Sequence, residues 1–198
     1  RRQPLCALLL GAMAVAEEAP TALVMVDRDA HPHKWATGLA GTVCREPCFL
    51  VVSCICFPCS NVLLRRDALK TAELPYRCFQ HHFLPCIGRC IPGQRVCPTC
   101  CMILEAHCCP VLSALATRHT IQDQFHIQRT CAERVCMRAF CVCELAACCC
   151  PKDSCCHEIT HALKHCCLCA VLPCMNAQGH HQLKVERRGS QLSAPLAH

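Results

Sequence analysis

Cysteine chemistry constrains the fold of this chain more than any other feature. The 198 residues include 27 cysteines, and many of them are neighbours, as in Cys148-Cys149-Cys150. Adjacent side chains on a helix point about 100° apart, so neighbouring cysteines rarely bond to each other and instead reach different elements. The odd count leaves at least one thiol free, metal-bound, lipidated or paired with another chain. Disulfides are favoured in an oxidising compartment and zinc thiolates in a reducing one, and the sequence leaves both open.

The scarcity of large apolar side chains gives cysteine a structural role. Hydrophobic residues make up 53% only when cysteine is included, and aromatic residues make up 4%. Stapling is therefore expected to supply much of the cohesion. The sequence predicts a mainly α, small and irregular cysteine-rich domain, stapled by zinc, disulfides or both. Its segment 73–103 is predicted to be loop-rich, because prolines at 75, 85, 92 and 98 interrupt any long helix.

Composition divides the chain into four parts. Residues 1–33 begin with a basic pair and an apolar run ending in Ala14-Val15-Ala16, which is typical of a transfer signal or anchor-like leader. An ordinary amphipathic helix is the alternative for this run. Residues 34–70 form a cysteine-rich apolar segment, and residues 71–178 form the helical core. Residues 179–198 are polar and are expected to fray as a tail.

An uncharged stretch covers residues 48–64. It predicts a membrane-dipping segment, although Pro58 interrupts it and its length falls short of a bilayer span. A helix after Pro58 is predicted to turn Val62, Leu63 and Leu64 inward and Arg65, Arg66 and Lys70 outward. Membrane association, in an organelle or another compartment, is the localisation that this stretch and the leader indicate.

Helical periodicity dominates the chain after Pro110. One helix is expected to bury Val111, Leu112, Leu115, Ile121 and Phe125 and to place His119 and His126 at the core edge or in solvent. A second is predicted over residues 132–150. A third is predicted over residues 156–172, with Pro173 closing it.

Two groups of cysteines have the spacing of metal ligands. C-x-C-x-x-C at 54–59 and C-x-x-C at 97–100 supply soft thiolates that suit zinc, and iron–sulfur binding stays open. The candidate metal ligands are Cys54, Cys56, Cys59, Cys78, Cys86, Cys90, Cys97 and Cys100. A loop stapled by disulfides is the alternative for the same residues.

The stretch "HEITH" at 157–161 fits the H-E-x-x-H pattern of zinc metallopeptidases. His157 and His161 would bind the metal and Glu158 would take a proton from the bound water. A third ligand is missing, because His165 lies about 12 Å from His157 along a straight helix and Glu186 falls in the polar tail. These three residues are therefore the catalytic alternative, beside a structural metal site or a plain helix face.

Clustered basic and aromatic residues, which a nucleic-acid interface requires, are lacking. The net charge of +6 is spread over isolated pairs such as Arg65-Arg66, and the chain has one Trp and one Tyr. Other protein subunits and a membrane surface are the partners expected, and nucleic acid is not.

A family resemblance covers roughly residues 34–180. The stretch "KWATGLAGTVCREPCFLVVSCICFPCSNVLLRRDAL" resembles the opening half of placenta-specific-8/cornifelin-type cysteine-rich domains, and the second half is similar to their plant and protist branch. The matching positions are Trp35, Thr37, Gly38, Leu39, Cys44, Cys48, Cys54, Cys56, Cys59, Glu105, Cys108, Cys109, Arg118, Phe125, Cys174, Met175, Ala177 and Gln178. Ala40 replaces a usual cysteine, and Phe57-Pro58-Cys59 lengthens a Cys-Pro-Cys step by one residue. The resemblance implies membrane association, metal handling and growth control, with no accepted enzymatic mechanism.

The sequence as a whole favours a non-enzymatic structural or adaptor protein. We expect it to associate with a membrane or to serve as an accessory subunit of a larger assembly. A zinc metallopeptidase centred on residues 157–161 is the enzymatic alternative, and a metal-buffering or metal-transport protein is the third.

Overall fold

The computed structural model describes residues 27–82, 97–131, 133–136, 138–139, 142 and 154–193. These residues are mainly helical, and the only β-type pairing among them is an isolated bridge between His33 and Ile127. The predicted small, mainly α and cysteine-rich fold is confirmed. The leader up to residue 26 and the loop at 83–96 lie outside the described residues.

The helices fall into two compact units, described here one at a time. The larger unit comprises residues 28–128 and 172–198, and the smaller unit comprises residues 1–27 and 129–171. In chain order the elements are α1 (Thr42–Arg45), α2 (Pro47–Ile55), α3 (Phe57–Thr71), a 3-10 turn (Cys78–His81), α4 (Pro98–Cys108), α5 (Pro110–Phe125), α6 (Cys155–Cys166), a π-helical turn (Cys167–Val171) and α7 (Leu172–Ser193).

Prolines begin the helices of the larger unit. Pro47, Pro98 and Pro110 are the first residues of α2, α4 and α5, and Pro58 is the second residue of α3. Proline is favoured there because its missing N–H would have no intrahelical partner and its φ already suits the helix. Pro98 thus starts a helix inside the segment that was predicted to be loop-rich, and that prediction is wrong from residue 98 onward.

Helix α3 lies at the centre of the larger unit. It packs against α2, α4, α5 and α7, and α7 also contacts α1, α2 and α5. Gly179 of α7 allows close approach, because a Cβ there would lie 3.1 Å from both Ile121 and Leu64. The apolar core at this crossing is small and consists of Trp35, Leu64, Ala68, Ile121, Ile127 and Leu183.

Polar side chains occupy much of the remaining interior. Asn61 donates to the Ser113 hydroxyl at 2.8 Å, and Asn176 donates to the Ser60 hydroxyl at 3.1 Å. All four of these side chains are buried. Such bonds replace the water that each group loses, so the interior is held by specific pairs as well as by apolar contact.

The predicted inward face of α3 is corrected at two positions. Arg65 was expected to point outward, but only 1% of its surface is exposed, and its guanidinium lies 2.5 Å from the Glu105 carboxylate of α4. Leu63 was expected inside and is 53% exposed. A partner forty residues away outweighs the local preference for an exposed arginine, because a paired charge can be buried.

The polar tail predicted from residue 179 is wrong for the residues that the structure describes. Helix α7 runs to Ser193, and Leu183 within it is buried. Two polar side chains bind the segment near Trp35: Gln178 donates to the Thr37 carbonyl at 2.6 Å, and Gln182 accepts from the Ala36 N–H at 2.7 Å. Polarity here indicates hydrogen bonding to partly buried backbone instead of full solvent exposure.

The smaller unit is described only in part. The described residues between 131 and 142 are helical, and the rest of the helix predicted over 132–150 lies outside the described residues. The third predicted helix ends earlier than expected, since α6 stops at Cys166 and a π-helical turn follows to Val171. Pro173 is the second residue of α7 and does not close the helix before it.

The Arg65–Glu105 pair gives a stability prediction. Glu105→Gln leaves Arg65 buried without a full countercharge, so we expect the free energy of unfolding to fall by about 3–5 kcal/mol. The control is Asp67→Asn, because Asp67 and Arg187 form an exposed pair at 3.6 Å, and we expect a loss within about 1 kcal/mol. Urea unfolding under non-reducing conditions measures both. Equal effects of the two substitutions would contradict this role of the buried pair.

Candidate functional site

Glu105 joins four groups from three segments of the larger unit. Its carboxylate pairs with Arg65 of α3 at 2.5 Å and accepts a hydrogen bond from the Tyr76 hydroxyl. It also accepts from the Phe79 N–H at 3.0 Å and from the Cys78 thiol. Phe79 and Gln80 have left-handed φ angles of 45° and 49°. The carboxylate therefore holds a tight turn against α4 in a conformation that is costly for residues with a Cβ.

Proton loss from this cluster is suppressed. Burial, followed by the hydrogen bond and the charge of Glu105, raises the pKa of Tyr76 far above its ordinary value. Burial, again followed by the Glu105 carboxylate, raises the pKa of Cys78 to about 12. A thiol that stays protonated is a poor nucleophile and a poor metal ligand. The Glu105 cluster therefore stabilises the packing of the larger unit.

A second buried carboxylate ties α7 to the start of α2. Glu46 accepts from Lys184 at 2.9 and 3.1 Å, and its two oxygens lie 3.2 Å from Nδ1 of His180 and of His181. Burial alone would raise the pKa of Glu46, but the hydrogen bonds from Lys184 and His181 and the nearby positive charges lower it. Burial lowers the pKa of His180 against the pull of Glu46.

Four of the predicted metal ligands are joined in two disulfides. Cys56 pairs with Cys59, and Cys97 pairs with Cys100. Each pair lies at the N-terminus of a helix, where Cys56 caps α3 and Cys97 caps α4. A sulfur in a disulfide is not a thiolate, so the pairs as they stand do not offer the ligand that zinc prefers.

The other predicted ligands that the structure describes, Cys54 and Cys78, belong to no metal-binding group of three or more side chains. Cys54 is exposed and close enough to Cys174 to contribute to the raised pKa of that thiol. Cys78 is buried and electrostatically coupled to Cys101, while Cys86 and Cys90 lie outside the described residues. Within the described ranges, no group of three or more His, Cys, Asp or Glu side chains is placed to hold a metal ion. Zinc and iron–sulfur binding stay predictions.

The H-E-x-x-H segment lies on α6, as the pattern requires. Glu158 and His165 are exposed, and the side chains of His157 and His161 lie outside the described part of the structure. Cys155 and Cys166, at the ends of α6, are exposed thiols that form no disulfide. The metallopeptidase alternative stays a prediction.

A cleft of about 550 Å³ opens beside α5, lined in part by Arg77, His82, Thr120 and Asp123. The Asp123 carboxylate is bound at 2.6 Å through each oxygen by Arg28. The Thr120 hydroxyl donates to the Ala116 carbonyl of its own helix at 2.8 Å and lies 3.5 Å from His82. These contacts stabilise the helix and its neighbours.

Helix α2 exposes its apolar face to solvent. Cys48, Val51, Val52 and Ile55 follow the i, i+3, i+4, i+7 spacing of one helix face. This face, here called the α2 stripe, is exposed: Val51 is 56% accessible, Val52 43% and Ile55 81%. The one fully buried side chain of α2 is Ser53. The helix thus directs its apolar face outward and a hydroxyl inward, the reverse of an ordinary soluble helix.

The exposed charged residues nearest to α2 in the sequence, one on each side, have the same sign. Helix α2 has no charged residue, and Arg45 and Arg66 on either side of it are exposed. Glu46 and Arg65, the other charged residues between 42 and 66, are buried against partners.

In the described part of the chain, no helix is both long enough and apolar enough to cross a bilayer.

Comparison of the chain with protein-family models, curated proteins and solved structures finds no match. The resemblance to placenta-specific-8/cornifelin-type domains therefore stays a prediction that depends on the quoted residues. The site must be judged on its own geometry.

Sequence reasoning found part of this surface. The uncharged stretch at 48–64 contains the α2 stripe. The outward direction of the stripe depends on α7, because the ring of Phe49, on another face of α2, stacks on His180 of α7 at 4.1 Å. Glu46 was missed. A lone carboxylate at the start of an otherwise uncharged helix was the available signal for a buried anchor.

The Glu46 cluster predicts a loss of stability in acid. His180 binds a proton less readily when folded, so acidification below its ordinary pKa of 6.5 favours unfolding. Glu46 has a lowered pKa, so its contribution is present above about 4.5 and is lost as the pH falls through its folded value. His180→Asn should therefore flatten the fall in unfolding free energy between about pH 7 and pH 5.

The control for this prediction is His107→Asn, because His107 is exposed on α4. Its curve of unfolding free energy against pH should run parallel to that of the unmodified chain. The account of the cluster fails if His180→Asn also runs parallel.

Proposed function

We propose that this chain is a cysteine-rich adaptor that docks on an anionic membrane surface through the α2 stripe. The observation behind the proposal is the inverted helix α2, with valine and isoleucine outside and serine inside. Soluble monomers rarely expose contiguous apolar surface without a partner for it. A helix lying in the headgroup region buries such a face without spanning the bilayer.

The charged residues near α2 favour an anionic lipid surface as the binding partner of the α2 stripe. Arg45 and Arg66, the exposed charged residues nearest to α2 on each side in the sequence, are positive, and the acidic side chain nearest to α2 in sequence, Glu46, is turned inward. A basic residue close to an anionic leaflet contributes about 1 kcal/mol of attraction. An apolar helix face with a basic residue near each end in the sequence suits acyl chains below phosphate headgroups.

The expected affinity is modest. Full burial of a Val or Ile side chain stabilises by about 1.5–3 kcal/mol, and the three in the stripe are already partly covered, so about 1 kcal/mol each remains. With two arginines the sum is about 5 kcal/mol, which is comparable to a single acyl chain that binds reversibly. The protein would therefore exchange between membrane and solution unless a second anchor holds it.

The rest of the larger unit suits a rigid adaptor. Two buried carboxylate clusters fix α2 and α3 against α4 and α7, so the stripe is presented on a stable platform. The exposed face of α4, with Ile103 and Leu104, remains available to protein partners. An accessory subunit is expected to bind a membrane through one surface and protein partners through another.

Vesicle binding tests the proposal. The change is Val51→Asp with Ile55→Asp, two exposed positions where substitution should not disturb the fold. We expect the partition coefficient on phosphatidylserine-containing vesicles to fall about thirtyfold or more, because two apolar contacts are lost and negative charge is added. Co-sedimentation over a range of lipid concentrations measures it. Binding of the unmodified chain should also weaken as salt rises from about 0.1 to 1 M.

The control is Val185→Asp on α7, where a half-exposed valine lies between Lys184 and Glu186. Its vesicle binding should equal that of the unmodified chain. No binding by the unmodified chain, or equal loss in both variants, would overturn the proposal. A concentration-dependent dimer in solution that the α2 substitutions abolish would overturn it in favour of a second copy as the occupant.

A further inference from the structure

Two helices of the larger unit begin in the same way. Cys56 caps α3 and is bonded to Cys59, and Cys97 caps α4 and is bonded to Cys100. The capping residues have nearly equal backbone angles, with φ and ψ of −136° and 80° for Cys56 and −141° and 80° for Cys97. The residues between the cysteines differ, Phe-Pro in one and Pro-Thr in the other. The shared arrangement follows from the spacing of the two cysteines and from a proline within the first two residues of each helix.

A thiolate at either capping position would be stabilised. Neither helix has a side-chain cap or an acidic residue in its first turn. The N–H groups of a first turn have no intrahelical partner, and the helix dipole places partial positive charge there. Both effects favour an anion at the capping sulfur, and cysteines at helix N-termini have lowered pKa values for this reason. Reduction of either disulfide would supply that anion.

Accessibility distinguishes the two cysteines of each pair. Cys59 and Cys100 are exposed, whereas the capping residues Cys56 and Cys97 are half-buried. An incoming thiolate therefore meets the outer sulfur, and the capping sulfur is the leaving group. Exchange is faster when the leaving thiolate is the more stable one. The burial and the electrostatics favour the same direction of attack.

A purely structural role does not explain these two disulfides well, because each of them stabilises the fold only slightly. A disulfide stabilises by restricting the unfolded chain, and the effect grows with the length of the loop that it closes. A separation of three residues closes a very short loop, and both ends belong to one helical turn. The bridges therefore connect no two elements of the fold, and reduction would leave the packing of α3 and α4 in place.

We propose that Cys56–Cys59 and Cys97–Cys100 are two redox-active sites that oxidise accessible dithiols. A substrate thiolate attacks the outer sulfur of Cys59 or Cys100, which breaks the protein S–S bond and forms a mixed disulfide. The electron pair of the broken bond stays on the capping sulfur as its thiolate. The second substrate thiolate then attacks the substrate sulfur of the mixed disulfide, closing the substrate disulfide and releasing the outer cysteine as a thiolate that takes up a proton. The substrate loses two electrons, and one protein disulfide becomes two thiols.

The chain offers matched controls for this chemistry. Cys109 caps α5 in the same backbone conformation, with φ and ψ of −137° and 64°, but Leu112 stands where the second cysteine would be. Cys78 is a buried thiol whose pKa is raised to about 12. Cys109→Ser should leave the exchange unchanged, and Cys78 should stay unmodified by an alkylating agent while the capping thiols react.

The experiment treats the folded full-length chain with millimolar dithiothreitol and a chelator, without denaturant. Mass spectrometry after alkylation follows the peptides that contain the two pairs. We expect both pairs to be reduced and to reoxidise with oxidised glutathione. Cys56→Ser should remove exchange at the first pair alone, Cys97→Ser at the second alone, and Cys109→Ser at neither.

A second readout separates redox activity from passive reduction. After reduction, iodoacetamide at about pH 6.5 should modify Cys56 and Cys97 at least about tenfold faster than the exposed Cys54, because a capping thiolate forms at lower pH. Pairs that resist dithiothreitol until the chain is unfolded would overturn the proposal. Capping thiols that react no faster than Cys54 would also overturn it.

Discussion

The carboxylate of Glu105 is the interaction on which the larger unit depends. It neutralises Arg65, which is 1% exposed at the centre of the bundle, and it binds the hydroxyl of Tyr76 and the N–H of Phe79. An unpaired charge in such a place would cost several kcal/mol, so the pair forces α3, α4 and the turn at 78–81 into one arrangement. The second carboxylate, Glu46, does the same for α2 and α7.

The larger unit combines a partly polar interior with an apolar helix face at its surface. Serine, asparagine, glutamine and arginine side chains fill much of the interior through specific bonds, and the apolar cluster around Leu64 is small. Valine and isoleucine of α2 are exposed at the surface of the same unit. The same arrangement therefore explains both the cohesion of the unit and its apolar exterior, and the proposed docking on lipid follows from it.

Local pattern in the sequence predicted the helical elements well. The helix α5 from Pro110 to Phe125 follows from a starting proline and apolar periodicity, and His126 ends it in the left-handed conformation. The start of α3 near Pro58 and the uncharged stretch that contains the α2 stripe follow in the same way. These features depend on residues within one or two helical turns, so a single sequence contains the information.

Features that depend on distant partners could not be predicted. Arg65 is buried because Glu105 lies across from it, and α7 is ordered because Gln178 and Gln182 reach the backbone near Trp35. Read locally, an arginine pair and a glutamine-rich segment indicate solvent exposure. The C-x-x-C spacing was recognised, but spacing alone does not separate a zinc ligand pair from a disulfide. The helix cap at each first cysteine was needed to suggest exchange chemistry.

Hydrogen–deuterium exchange with and without anionic vesicles is the most direct test of lipid docking through the α2 stripe, because it locates the covered surface in the chain. The account predicts slower amide exchange in peptides covering Thr42–Ile55 when vesicles are present, with unchanged exchange in peptides from α5, whose residues 111–122 are buried in the bundle. Unchanged exchange at Thr42–Ile55 in chains that have bound to the vesicles would contradict it.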